Sequence, residues 1–177
     1  MNCSLLESVT IGNNVKSIGA SAFRGCTGLT SVTIGNAVTS IGSVAFSGCT
    51  GLTAIELQEG LTTIGNYAFR NCTGLAEVNF PKNWTRVLDS YYNSDTTYSD
   101  SSNDYSSPFE GCTSLTSVTI PEGIKSIGDS VFYGCSALTS ITIPEGVTSI
   151  GNDAFYNFVN LTSVSIPNSV TSIGEKA

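Results

Sequence analysis

Leucines recur on a fixed grid. Leu6, Leu29, Leu52 and Leu75 stand 23 residues apart, and Leu115, Leu138 and Leu161 resume the interval after one jump of 40. Each opens the same phrase, cleanest in Leu29-Thr-Ser-Val-Thr-Ile-Gly-Asn-Ala-Val-Thr-Ser-Ile-Gly-Ser-Val-Ala-Phe-Ser-Gly-Cys-Thr-Gly51. Self-similarity at this period means stacked supersecondary units that bury an apolar face only against their neighbours. Residues 1–177 therefore read as one solenoid of about seven units. The jump exceeds the interval by 17, so the fourth unit carries an insertion, placed at about residues 89–107.

Within a unit, Val32-Thr33-Ile34 alternates in, out, in, the pattern of a half-buried strand. Pro follows in four units, at Pro81, Pro121, Pro144 and Pro167, and ends the strand because it cannot extend a ladder. Pro-Glu-Gly at 121–123 and 144–146 reads as a tight turn, and Val38 to Ile41 as a second short extended segment. Ser43 to Ser47, bounded by Gly42 and Gly48, has room for one helical or 3-10 turn. The column of Gly48 holds Gly25, Gly111 and Gly134 but also Asn71 and Asn157. Gly exchanging with Asn marks a left-handed backbone position.

The Leu-x-x-Val-x-Ile opening resembles a leucine-rich repeat. With Ile-Gly-x-x-Ala-Phe-x-Gly-Cys in its second half, the phrase is similar to the BspA-type subfamily. Three residues after the Ile stand Asn14, Ala37, Gly60, Asn83, Gly123, Gly146 and Ser169, so no continuous Asn ladder can form there. The resemblance implies an α/β repeat fold: a right-handed superhelix with a parallel sheet, short second strands and single helical or 3-10 turns. It also implies a bacterial or protozoan surface protein, some relatives being adhesins that bind host matrix proteins. Localisation at the cell surface or outside the cell follows from that resemblance alone.

Cys3, Cys26, Cys49, Cys72, Cys112 and Cys135 occupy one repeat column, and Phe158 stands there in the seventh unit. A column that accepts Phe is an interior column, and free Cys is a small, commonly buried hydrophobe. Parallel side chains in a ladder point the same way, which is poor disulfide geometry. The column thus reads as buried free thiols, against a Cys–Cys bond or a metal site. Both ends fall inside a repeat without a polar cap, which suggests a segment of a longer protein. Unpaired strand edges near Val9 and Val164 predict that the segment either self-associates end to end or gains stability when flanking repeats are restored.

The chemistry of catalysis is missing. The chain has no His, no Gly-x-Ser-x-Gly elbow and no phosphate-cradling Gly loop. Glu56 and Glu77 sit on adjacent first strands, roughly 8 Å apart at Cα from strand geometry, without a wall to perturb either. No enzyme activity, cofactor or metal is expected. A net charge of −7 with seven scattered Lys and Arg excludes nucleic acid as a natural partner. No run is long enough for a membrane-spanning helix. The insertion holds four Asp and four of the seven Tyr, a composition that cannot build a core. Asp95, Asp100 and Asp104 miss the spacing of a Ca²⁺-binding loop, so a solvated loop is expected.

Departures from the repeat locate a candidate ligand site. Most units fill outward first-strand positions with Ser and Thr, as at Ser31 and Thr33 or Ser117 and Thr119. Units three and four place Glu56, Glu77 and Asn79 there instead. Unit four also replaces the usual Ser of the second segment by Arg86, and the insertion adds Tyr91 and Tyr92. Trp84, in the column of Val38, reads as a core residue. Aromatic residues and Arg are enriched at binding hot spots, whereas Ser and Thr are not. The expected ligand is an extracellular protein or glycan, the competing reading being a passive spacer within a larger surface protein.

Overall fold

The computed structural model describes residues 3–80 and 107–177. Among these the chain is a parallel β-solenoid with a 23-residue turn. The first strands are β1 (Ser8–Thr10), β3 (Ser31–Thr33), β5 (Ala54–Glu56), β7 (Glu77–Asn79), β8 (Ser117–Thr119) and β10 (Ser140–Thr142). The second strands are β2 (Ser17–Ile18), β4 (Ser40–Ile41), β6 (Thr63–Ile64), β9 (Ser126–Ile127), β11 (Ser149–Ile150) and β12 (Ser172–Ile173). Pairing is parallel and in register with the repeat, Val9 against Val32 and Ile41 against Ile64. β7 pairs with β8 through Glu77↔Ser117 and Val78↔Val118, so units on either side of the jump are direct neighbours.

The in-out-in alternation is present as expected. Ser31 and Thr33 are exposed, while Ile34 is buried beneath them. Ile124 N–H donates to the Pro121 carbonyl at 3.1 Å, closing the turn after the strand. Thr hydroxyls then clip one unit to the next: Thr62 Oγ1 donates to Thr39 O at 2.9 Å and Thr171 Oγ1 to Thr148 O at 3.1 Å.

The expected helical or 3-10 turns do not form, and no helix occurs among the described residues, so the fold is all-β rather than α/β. The reason lies in where the amides go. Val44, Phe46 and Gly48 donate outward to Asn66, Ala68 and Arg70 of the next unit at 2.7–2.8 Å. Only Ala45, Ser47 and Cys49 close short turns within the unit. A helix needs every amide along its own axis; here alternate amides extend the inter-unit ladder around the corner. That alternation requires two left-handed residues per corner. One is the Gly/Asn column, with φ of 74° at Gly48 and 57° at Asn71, as the Gly–Asn exchange predicted. The other holds Ser21, Val44, Tyr67, Ser130 and Asp153 at φ of 51–57°, a column of unlike residues that carries no sequence signal.

The core is a set of axial columns. Phe23, Phe46, Phe69, Phe109 and Phe132 stack face to face with centroids 5.2–5.9 Å apart. Phe69 and Phe109 are near-parallel at 5.3 Å, although 40 residues separate them. Ser107, the last residue of the expected insertion, is wholly buried and donates its hydroxyl to Val131 O at 3.1 Å. Cys26 to Cys135 form the next column, all free and buried as expected. Cys3 is the correction: it is free but exposed.

Candidate functional site

The first-strand face presents three of the residues singled out from the sequence. Glu77 and Asn79 open and close β7, Glu56 closes β5, and all three are exposed. Alternation puts them on one side of the sheet, with Ile55 and Val78 buried beneath. Register sets Glu56 directly opposite Asn79, while Glu77 faces Ala54 on one side and Ser117 on the other. Glu56 and Glu77 are therefore diagonal neighbours on an open face, exposed to solvent. What the arrangement can do is offer two carboxylates and an amide on adjacent strands of a sheet whose outward positions are mostly Ser and Thr. Arg86, Tyr91, Tyr92 and Trp84 lie outside the described residues, as do the Asp residues of the insertion.

The cysteines have a role that composition does not disclose. Four of the five buried thiols donate to the carbonyl of the Phe one unit earlier: Cys49 to Phe23, Cys72 to Phe46, Cys112 to Phe69 and Cys135 to Phe109, at 3.1–3.3 Å. Burial pushes the Cys49 and Cys135 thiols up to about 12, and also holds Cys72 and Cys112 well above the usual thiol range. A thiol held protonated and donating is neither a nucleophile nor a metal ligand. Among the described residues no group of three Cys, Asp or Glu is placed to hold a metal ion.

Two further surface clusters escaped sequence reasoning. The position after the buried Phe reads Arg24, Ser47, Arg70, Glu110, Tyr133 and Tyr156 along the stack. Here Arg70 lies over the Tyr67 ring at 4.8 Å and bonds Glu110 at 3.1 Å. Tyr133 and Tyr156 stack on each other at 5.0 Å while remaining partly exposed. Aligning the units column by column shows this divergence, which a reading confined to strand positions misses. The second cluster lines an open groove of about 380 Å³ along β9, β11 and β12, where Asp129 and Asn152 stand beside the Ser column.

Comparison with known proteins gives a consistent family. A family model described as BspA type leucine rich repeat region matches residues 1–100 and 103–177 in six copies. The crystal structure of a leucine-rich repeat protein from T. pallidum is 30% identical, with a TM-score of 0.77. It matches over 96% of this chain and 73% of its own length. A leucine-rich repeat protein from Eubacterium ventriosum is 29% identical with a TM-score of 0.77, over 96% of this chain and 41% of its own. The pneumococcal vaccine antigen PcpA shares the fold at 21% identity and a TM-score of 0.59, over 96% of this chain and 47% of its own. No curated protein matches the chain.

Proposed function

The chain belongs to the BspA-type leucine-rich repeat family, and from that premise we propose that it is a binding module of a cell-surface or extracellular protein. It engages a protein or glycan through its first-strand face and performs no catalysis. One observation carries this reading: outward positions kept as Ser or Thr in the other units change to Ala54, Glu56, Glu77 and Asn79 on two adjacent strands. A face that serves only to be soluble has no reason to diversify at one level. Arg86, Tyr91 and Tyr92, close in sequence to β7, complete the proposed patch. Among the described residues no helix is long and apolar enough to cross a membrane.

The spacer reading draws support from the ladders, which repeat with little variation from unit to unit and suit a rigid rod. End-to-end association through exposed strand edges belongs to either reading and is read by sedimentation. Binding separates the two. The intact chain is tested against purified extracellular-matrix proteins and a glycan array, beside Glu77→Ala/Asn79→Ala, Arg86→Ala and a deletion of 89–106 that spares the buried Ser107. A ligand lost or weakened at least tenfold in these variants supports the patch. Equal binding by all variants misplaces it, and no binding by the intact chain favours the spacer.

A further inference from the structure

The groove along the second strands is a different surface from the β5–β7 patch, and it is built rather than accidental. Its rim carries the hydroxyls of Ser126, Ser149 and Ser172, one per unit. Beside them Asp129 Oδ1 accepts the Asn152 N–H at 2.7 Å, and Asn152 Oδ1 accepts the Glu175 N–H at 2.7 Å. These bonds fix two polar side chains against the next unit, leaving Asp129 Oδ2 as an acceptor and Asn152 Nδ2 as a double donor. Gly151 and Gly174 make the clasp possible, since a Cβ on Gly174 would approach within 2.7 Å of Asn152 Oδ1. The equivalent column reads Ala20, Ser43 and Asn66 in the first three units, so a carboxylate followed by an amide in adjacent units occurs only at Asp129 and Asn152.

We infer that this groove binds a neutral glycan lying along the solenoid axis, one sugar against each unit. The chemistry of the lining selects that class. It contains hydroxyls, one amide and one carboxylate but no cation, and the chain as a whole is anionic, so sulfated or phosphorylated ligands are disfavoured. β11 is already paired with β9 and β12, so its ladder positions are taken and an extended peptide cannot add to it there. Ile127 and Ile150 are almost fully buried, and of the lining isoleucines Ile173 alone is exposed, at 58%, at one end of the groove. What remains is a row of neutral, directional donors and acceptors at a spacing of roughly 4.8 Å, with side chains fixed before the ligand arrives.

The test is ¹⁵N chemical-shift mapping on the whole chain with cellotriose, laminaritriose, maltotriose and tri-N-acetylchitotriose, and a heparin tetrasaccharide for comparison. Each is titrated to about 10 mM, which covers millimolar affinities. At least one neutral trisaccharide is expected to move the amides of Ser126, Ser149, Gly151 and Asn152. Asn152→Leu and the groove-filling Ser149→Tyr are each expected to weaken it at least tenfold, whereas Glu59→Ala, at an exposed position with no assigned role, leaves it unchanged. Thermal melts establish that both groove variants are folded, and Ser149→Tyr leaves the Asp129 and Asn152 clasp intact. The inference is overturned if no neutral trisaccharide moves these amides, if shifts centre on Tyr133 and Tyr156, or if heparin binds as well. Because the patch and the groove are mutated separately, either can fail alone.

Discussion

Replacing Phe69 by Ala tests how the columns hold the solenoid together. Phe69 is fully buried, with Phe46 stacked on one face at 5.3 Å and Phe109 on the other at 5.3 Å. A buried Phe→Ala change costs about 3–5 kcal/mol through lost transfer energy and an unfilled cavity. The upper end is expected, since two stacked pairs at about 0.5–1.5 kcal/mol each are lost together. Phe23 is half-buried and stacks on Phe46, so Phe23→Ala should cost only about 1–2 kcal/mol. A chain of this length has a stability on the order of 10–25 kcal/mol, so both variants remain folded and measurable. The solenoid is held by nearest-neighbour contacts, so the central change should also separate unfolding of the two halves. Guanidinium melts followed by circular dichroism, with amide exchange read unit by unit, give both quantities. If Phe69→Ala costs no more than Phe23→Ala, or if unfolding stays fully concerted, the column account is wrong.

The thiols predict an alkaline limit. Cys49 and Cys135 rise from 9.0 to about 12 on folding, so their contribution is complete below pH 9 and is lost between 9 and 12. The loss is up to about 1.4 kcal/mol per pH unit for each thiol. Cys49→Ser keeps a donor for Phe23 O without a thiol to titrate, and should flatten the decline of stability measured by urea melts from pH 8 to 11. Under native conditions at pH 8, a thiol reagent should modify Cys3 alone, and six cysteines after unfolding. Val44 is β-branched yet held at φ 51°. Val44→Asn should therefore stabilise the chain by about 1 kcal/mol, raising Tm by roughly 2–4 °C.

Periodicity decided what could be read in advance. Seven copies of one phrase average out local ambiguity, so the strand alternation, the turn at Pro121 and the left-handed Gly48/Asn71 column were legible from residue type alone. The corner was not. Val44, Tyr67 and Asp153 share a left-handed conformation but no chemistry, because inter-unit hydrogen bonds impose it from outside the residue. For the same reason Ser43 to Ser47 resembles a helical turn in isolation and becomes a ladder only when the next unit arrives. Cys could be recognised as an interior residue, yet its bond to a carbonyl 26 residues earlier exists only in the stack. On the surface, Glu56, Glu77 and Asn79 stood out because their strand columns are otherwise almost all Ser and Thr. The clasp of Asp129 and Asn152 did not, because its column never repeats cleanly.

The central claim is that function resides where the repeat is broken on β5 and β7. Its most direct measurement is binding by a chain restored to the common pattern, carrying Glu56→Thr, Glu77→Ser and Asn79→Thr together. These positions are exposed, so the melting temperature should stay within a few degrees of the parent. The account predicts that a ligand captured by the parent from a matrix-protein and glycan panel is lost, or weakened at least tenfold, in the restored chain. A restored chain that binds the same ligand with unchanged affinity would contradict it.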